Sequence, residues 1–349
     1  MIRLADTESW KQRVQSCTSF REVREVRDTI QPEFQEYLPL SDLAAWMEAL
    51  NQFHDVLVRQ TIMLAERELQ KNAGLAVPCP YAFILFGSSG RSERTLWSDQ
   101  DNGLVYLDDT ELAGHYFENF AIAIEEGLQL VGYPPCDGKV SVINQQWRKS
   151  LVGWKQQLAL WFEESSWESV RHLLIIADAR IVHGSEDVMN ELKRSFNHHV
   201  QTTPKIMEGM LRNTLRHKVV LGPLGNLIRE EYGEDAGGFD IKYGAYIPMV
   251  NAVRLLAVSR RIPQTSTLAR LARLESEIGT QVVKQWKQAF LAILSLRSLT
   301  PSQLTEQGYY TTRGKLSSVQ LTKEVKGKLK SCIQTGEQLQ KFIVKDGLS

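Results

Sequence analysis

Six apolar residues in a row, Tyr81-Ala-Phe-Ile-Leu-Phe86, stand between Pro78-Cys-Pro80 and Gly87-Ser-Ser-Gly90. A run this short, closed by turn residues on both sides and offering no polar face, predicts a strand buried on both faces. Such a strand needs neighbouring strands and a layer of helices over each face. After a polar segment, Asn102 to Tyr106 reads as a second strand, and Glu111 to Leu130 as a helix closed by Gly132. Strand, turn, strand, helix is an α/β or α+β signature.

Helical spacing accounts for the rest of the chain. From residue 7 to about 72 the apolar positions Leu43, Ala44, Trp46, Met47, Leu50, Phe53, Leu57, Ile62 and Leu64 recur with helical period. Asn72 to Pro80, with one Gly and two Pro, then breaks the pattern. In 147–163 the spacing of Trp147, Trp154 and Trp161 gives one helix face an aromatic stripe, read either as packing or as a base-stacking platform. A third apolar run, Leu173 to Ala177, precedes Asp178-Ala-Arg180, and a helix follows over 186–197. Further helices are expected at 205–220, 246–260, 266–276, 279–297 and 319–343. Three regions result: a helical segment 1–75, an α/β-containing domain 76–200 and a helical bundle 201–349.

With 349 residues, a single core is too small a unit for this chain. Forty-one Lys+Arg balance 41 Asp+Glu, so no global field favours a polyanion and a nucleic-acid partner is not expected. No run approaches the ~18 apolar residues of a membrane span, and the expected location is cytoplasmic. Cys17, Cys79, Cys136 and Cys332 lie far apart and read as free thiols. His115, His172, His183, His198, His199 and His217 show no metal-binding spacing and read as surface residues. The lysines at 315, 323, 326, 328 and 330 are interspersed with acids and amides, which suits a solvated face better than a phosphate patch.

The chemistry concentrates in the stretch from Phe86 to Tyr106. Gly87 and Gly90 let the backbone turn tightly and bring N–H groups to an anion, Ser88 adds a hydroxyl, and Arg91 adds a fixed positive fork. Together they form a phosphate cradle, although neither a Walker A loop nor G-x-G-x-x-G is present. Asp99 and Asp101 stand at the mouth of the next strand, where residues i and i+2 share a face. Two converging carboxylates beside a phosphate repel unless a divalent cation lies between them, which predicts Mg²⁺ (or Mn²⁺) as cofactor.

This order of buried strand, Gly-Ser turn, ten-residue gap, Asp-x-Asp and second strand resembles the polymerase-β-type nucleotidyltransferases. The string GSSGRSERTLWSDQDNGLVY is similar to a nucleotidyltransferase family often fused to CBS domains and related to the amino-terminal domain of protein-PII uridylyltransferase. Gly132-Tyr-Pro-Pro-Cys136-x-Gly138-x-Val140, Asn144, Trp147-Arg148 and Asp178-x-Arg180-x-Val182-x-Gly184 follow in that family's order. Past 204, Asp240-Ile-Lys242, Pro248, Arg254 and Thr267-x-x-Arg270-Leu271 resemble its carboxy-terminal substrate-binding domain.

The resemblance implies a small mixed-sheet, polymerase-β-like domain that transfers a nucleoside monophosphate from a nucleoside triphosphate to an acceptor, a regulatory protein being one candidate. Ser88 and its turn would hold the triphosphate, Arg91 would contact phosphate with Glu93 pairing to it, and Asp99 and Asp101 would ligate the metal. Asp178 is the candidate third carboxylate, with a buried ion pair in Asp178-x-Arg180 as the other reading and Asp137 a weaker candidate. Asp240, Lys242 and Arg254 either orient nucleotide or acceptor or form interhelical salt bridges. The chain departs from the family at Lys139 and Ser141, where Gly and Met are more usual, and it contains no CBS module. Two rival functions stay open: a nucleotide-sensing module without turnover, and a transferase acting on small molecules or nucleic-acid ends.

Overall fold

The computed structural model describes residues 7–38, 42–98, 100–136, 138–216, 220–222 and 225–346. In chain order these form α1 (Thr7–Gln15), α2 (Phe20–Tyr37), α3 (Leu43–Ala73), β1 (Tyr81–Leu85), α4 (Gly87–Gly90), β2 (Asn102–Tyr106), α5 (Glu111–Leu130), β3 (Arg148–Ser150), α6 (Leu151–Glu164), α7 (Trp167–Ile176), β4 (Arg180–Gly184) and α8 (Glu186–Thr202). There follow α9 (Lys205–Leu215), β5 (Phe239–Asp240), a π-turn (Lys242–Tyr246), α10 (Ile247–Ser259), α11 (Thr267–Ile278), α12 (Thr280–Ser298), β6 (Ser302–Leu304), β7 (Tyr310–Thr312), β8 (Lys315–Leu316) and α13 (Lys323–Asp346). The class is α+β, as the alternation of motifs implies. Among the described residues no helix is long and apolar enough to cross a membrane.

The chain divides into two compact units, the first comprising Met1–Leu160, Asp178–His199 and Leu304–Thr311, the second Trp161–Ala177, Val200–Gln303 and Thr312–Ser349. At the centre of the first is a four-stranded mixed sheet in the order β3-β2-β1-β4. All five residues of β1 are buried, as a strand with no polar face requires. It pairs antiparallel with β2, from Tyr81 opposite Tyr106 to Leu85 opposite Asn102, and antiparallel with β4 across an irregularity at Phe83/Ile84. β3 joins β2 in parallel.

Aromatic side chains supply the cover. Phe117 and Phe120 of α5 pack on Tyr81 with centroids 5.5 and 5.4 Å apart, and Phe117 stacks on Tyr106 at 4.5 Å. Ser19 and Asp42 cap α2 and α3 through side-chain oxygens, and α3 ends at Gly74 in the left-handed conformation, so the Gly in the 72–80 break serves as a C-cap. α3 runs against α5 and β4, placing the amino-terminal helices within the same core as the sheet.

One stretch differs from the helical reading. Residues 147–163 are not one helix: Trp147 closes a 3-10 turn and Arg148–Ser150 pair with β2 before α6 begins. Sheet pairing overrides helical periodicity here because β2 would otherwise expose an unpaired edge. Trp147, Trp154 and Trp161 are all buried, so their rings pack, and Trp154 Nε1 donates to the Leu104 carbonyl at 2.9 Å. The run Leu173 to Ala177 ends helix α7, and strand β4 follows Asp178.

In the second unit α10 is buried along nearly its whole length and packs with α9, α11 and α13. Tyr246 stacks on Phe290 at 6.0 Å and Trp286 meets Phe342 edge-on at 5.4 Å. The helices expected at 246–260, 266–276, 279–297 and 319–343 are α10 to α13, displaced by a few residues. That expected at 205–220 is α9, which ends at Leu215; residues 217–219 lie outside the described residues.

Gly90 shows how tightly the first unit is closed. A Cβ there would lie 2.2 Å from the Asp178 carbonyl oxygen and 2.6 Å from that of Leu85, both backbone atoms that cannot swing aside. Gly90→Ala is therefore expected to cost about 2 kcal/mol or more, read as a lower urea midpoint followed by tryptophan fluorescence.

Candidate functional site

The turn after β1 is built by Gly87 and Gly90. Phe86 leaves the strand extended, with its amide donating to the Asp101 carbonyl at 2.8 Å, and Gly87 reverses the chain at φ 56°. As at the start of any helical turn, the amides that open α4 have no intrahelical acceptor. Beside them lies the Asp101 carboxylate, so close that a Cβ on Gly87 would stand 2.2 Å from Asp101 Oδ2. Glycine at 87 therefore serves both the left-handed backbone and the approach of the acid. Cys136 Sγ donates to Asp101 Oδ1 at 3.1 Å, and both side chains are half-buried. Asp99 lies outside the described residues, as does Asp137.

Arg91 and Asp178 meet. Arg91 Nη1 donates to Asp178 Oδ2 at 2.5 Å and its Nε to Glu93 Oε2 at 2.8 Å, with all three side chains almost wholly buried. The ion pair suggested by Asp178-x-Arg180 forms with other partners: Arg180 chelates Asp55 of α3 at 2.7 and 3.0 Å and donates to the Ser89 carbonyl at 2.9 Å. Asp178 and Arg180 thus take partners from elsewhere in the chain, Arg91 and Asp55, which spacing alone cannot reveal. Among the described residues no three His, Cys, Asp or Glu side chains gather as a metal-ligand group; Asp99 is not among them.

A polar layer that sequence reasoning missed underlies the segment 91–100. Arg94, 1% exposed, donates from Nε to Ser89 Oγ at 2.7 Å and from Nη2 to Gln100 Oε1 at 3.2 Å, while its amide donates to Asn51 Oδ1 at 3.1 Å. Nearby, Arg27 of α2 lies over the Tyr133 ring at 4.1 Å and donates to Gln31 Oε1 at 2.8 Å and the Val131 carbonyl at 2.9 Å. Gln31 in turn donates to the Leu96 carbonyl. His54, the one histidine not weighed above, is buried and bonds Tyr133 at 2.7 Å. Its place four residues after Leu50 and three before Leu57, on the apolar face of α3, was the available signal. His115 and His198 are exposed, His172, His183 and His199 half-buried, and His217 lies outside the described residues.

In the second unit Asp240 ends β5 and accepts from the Tyr243 amide at 2.9 Å, capping the π-turn. Lys242 opens that turn, its amide donating to the Gly314 carbonyl at 3.1 Å and its ammonium lying 5.5 Å from the Tyr243 ring. Arg254, 7% exposed within α10, donates to Asn251 Oδ1 at 2.8 Å. Lys315 is held by Glu230 at 3.0 Å and Asp235 at 3.2 Å.

Residues 25–168 match the family described as "Putative nucleotidyltransferase DUF294", and residues 204–346 its "Putative nucleotidyltransferase substrate binding domain". The chain belongs to this nucleotidyltransferase family. No curated protein matches the chain. The family match includes the Gly87 turn, Asp101, Arg94 and most of the helices that support them, so the juxtaposed turn and acid lie within the matched span.

The polar layer has a pH consequence. Burial, then the fields of Arg94 and Arg27, hold His54 well below the usual 6.5 and keep it neutral in the fold. An unfolded chain takes up a proton near 6.5 that the folded chain refuses. Stability from this group is thus complete above that pH and declines as pH falls through it. The urea midpoint should drop more steeply between about pH 7 and 5 for the parent protein than for His54→Gln.

Proposed function

We propose that this protein catalyses metal-dependent transfer of a nucleoside monophosphate from a nucleoside triphosphate to an acceptor. The reading is carried by the approach of the Asp101 carboxylate to Gly87, so close that no Cβ would fit between them, which puts an acid beside a turn suited to phosphate. The triphosphate lies on Gly87 and Ser88, whose amides and hydroxyl donate hydrogen bonds to its oxygens. Gly90 closes the turn. Arg91, engaged on two sides and 2% exposed, orders the loop together with Glu93 and Asp178.

The donor set at the turn fits a hard divalent cation such as Mg²⁺ or Mn²⁺: Asp101 presents carboxylate oxygen at a half-buried position, and Asp99 would add a second. When bound, the ion neutralises charge on the departing pyrophosphate. The acceptor's nucleophile attacks the α-phosphorus, the bond to the bridging oxygen of pyrophosphate breaks, and the chain's own contribution is to hold the triphosphate in line. The likeness to protein-PII uridylyltransferase supports a regulatory protein as acceptor and the carboxy-terminal unit, with Asp240, Lys242 and Arg254, as its binding element.

Incubation with Mg²⁺, each of the four nucleoside triphosphates and cell extract should release pyrophosphate and label an acceptor. Asp99→Asn and Asp101→Asn should each lower turnover by at least ~10²-fold with unchanged circular dichroism. Saturable triphosphate binding without pyrophosphate release would instead identify a sensing module, and label on RNA or a metabolite would reassign the acceptor.

A further inference from the structure

Ten residues, 91–100, separate the turn that ends at Gly90 from Asp101, and one side chain ties the two ends together. Arg94 reaches Ser89, next to Ser88, at 2.7 Å and Gln100, next to Asp101, at 3.2 Å. Its own amide is fastened to Asn51 of α3 at 3.1 Å. Unlike Arg91 and Arg180, each paired with carboxylates, Arg94 has no carboxylate of the described residues within ion-pair distance. Arg94 Nη1 and Gln100 Nε2 are both buried with no hydrogen-bond partner among the described residues.

A buried cation with no contacting acid is costly, and Arg27 adds a second positive charge to the same layer. A neutral side chain of similar length would pack there without that cost. Rules of stability are broken in this way where function needs the charge. Among the described residues, the acids whose fields reach Arg94 are Asp55 and Asp101. Of these two, Asp55 is already chelated by Arg180, and Asp101 is the one next to Gln100, which Arg94 holds.

Resting on the nucleotidyl-transfer reading above, we propose that Arg94 is a positioning residue: it sets the spacing between the Ser88 turn and Asp101, and its buried charge offsets the negative charge gathered there when a triphosphate binds. The two parts of this role separate by substitution. Arg94→Gln removes the charge. Arg94→Lys keeps it but loses the fork that spans Ser89 and Gln100.

The test uses the full chain. Mn²⁺ binding without nucleotide is followed by electron paramagnetic resonance, binding of each nucleoside triphosphate with Mg²⁺ by calorimetry, and turnover by pyrophosphate release. Loss of a positive charge behind Asp101 should tighten Mn²⁺ binding and weaken triphosphate binding, each by about tenfold, in Arg94→Gln. A merely structural defect would weaken both. Arg94→Lys should bind Mn²⁺ as the parent does but turn over at least ~10-fold more slowly at saturating triphosphate. Unchanged affinities in Arg94→Gln, or a parallel loss of both, overturn the proposal. Should Arg94→Gln fail to fold, parent-like turnover of Arg94→Lys overturns it alone. Failure of the parent protein to bind Mn²⁺ and every triphosphate would be a different result, defeating the transferase reading itself.

Discussion

The first unit depends on the antiparallel pairing of β1 with β2. Because Leu85 lies opposite Asn102, the residues just beyond each strand end are brought to the same edge of the sheet. Phe86 then bonds across to Asp101, and the Gly87 turn and the acid come into van der Waals contact. A slip of one residue in this register would carry Asp101 to the other face and separate them. The site is in this sense a product of the ladder, and the all-buried β1 keeps the ladder from slipping.

Charge is buried around this edge to an unusual degree. Arg91, Arg94 and Arg27 are each nearly inaccessible, and among the described residues only the first pairs with carboxylates. The other two are held by amides, carbonyls, a serine hydroxyl and an aromatic face, with Gln31 of α2 bonding the Arg27 guanidinium and Asn51 of α3 the Arg94 backbone amide. The amino-terminal helices thus do more than cover apolar surface. They provide the low-dielectric, hydrogen-bonded floor on which the segment between the turn and Asp101 rests, and a loop so held is preorganised rather than recruited.

Much of this was legible from local chemistry. The bounds of β2 and α5 agree with the sequence reading because their signals are local: turn residues, helical period and a closing glycine. Trp147 misled because its seven-residue spacing to Trp154 is real but spans a change from strand to helix, and the unpaired edge of β2 decided the matter. The partners of Asp178 and Arg180 were illegible for a different reason. Their counter-charges, Arg91 and Asp55, lie 87 and 125 residues away in the chain, and no spacing rule spans that distance. Arg94 sat in plain view inside the motif, yet only the fold shows that it is buried and meets no acid among the described residues.

The sequence by itself determined the α+β class, the buried central strand, the glycine turn and the family, since each rests on residue type and short-range order. Tertiary structure alone decided which charges meet, which histidine is entombed and neutral, and that Asp101 rests on Gly87. Those are through-space facts: electrostatic and steric contacts depend on distances that the folded backbone sets, and residues remote in sequence acquire them only once the sheet has closed.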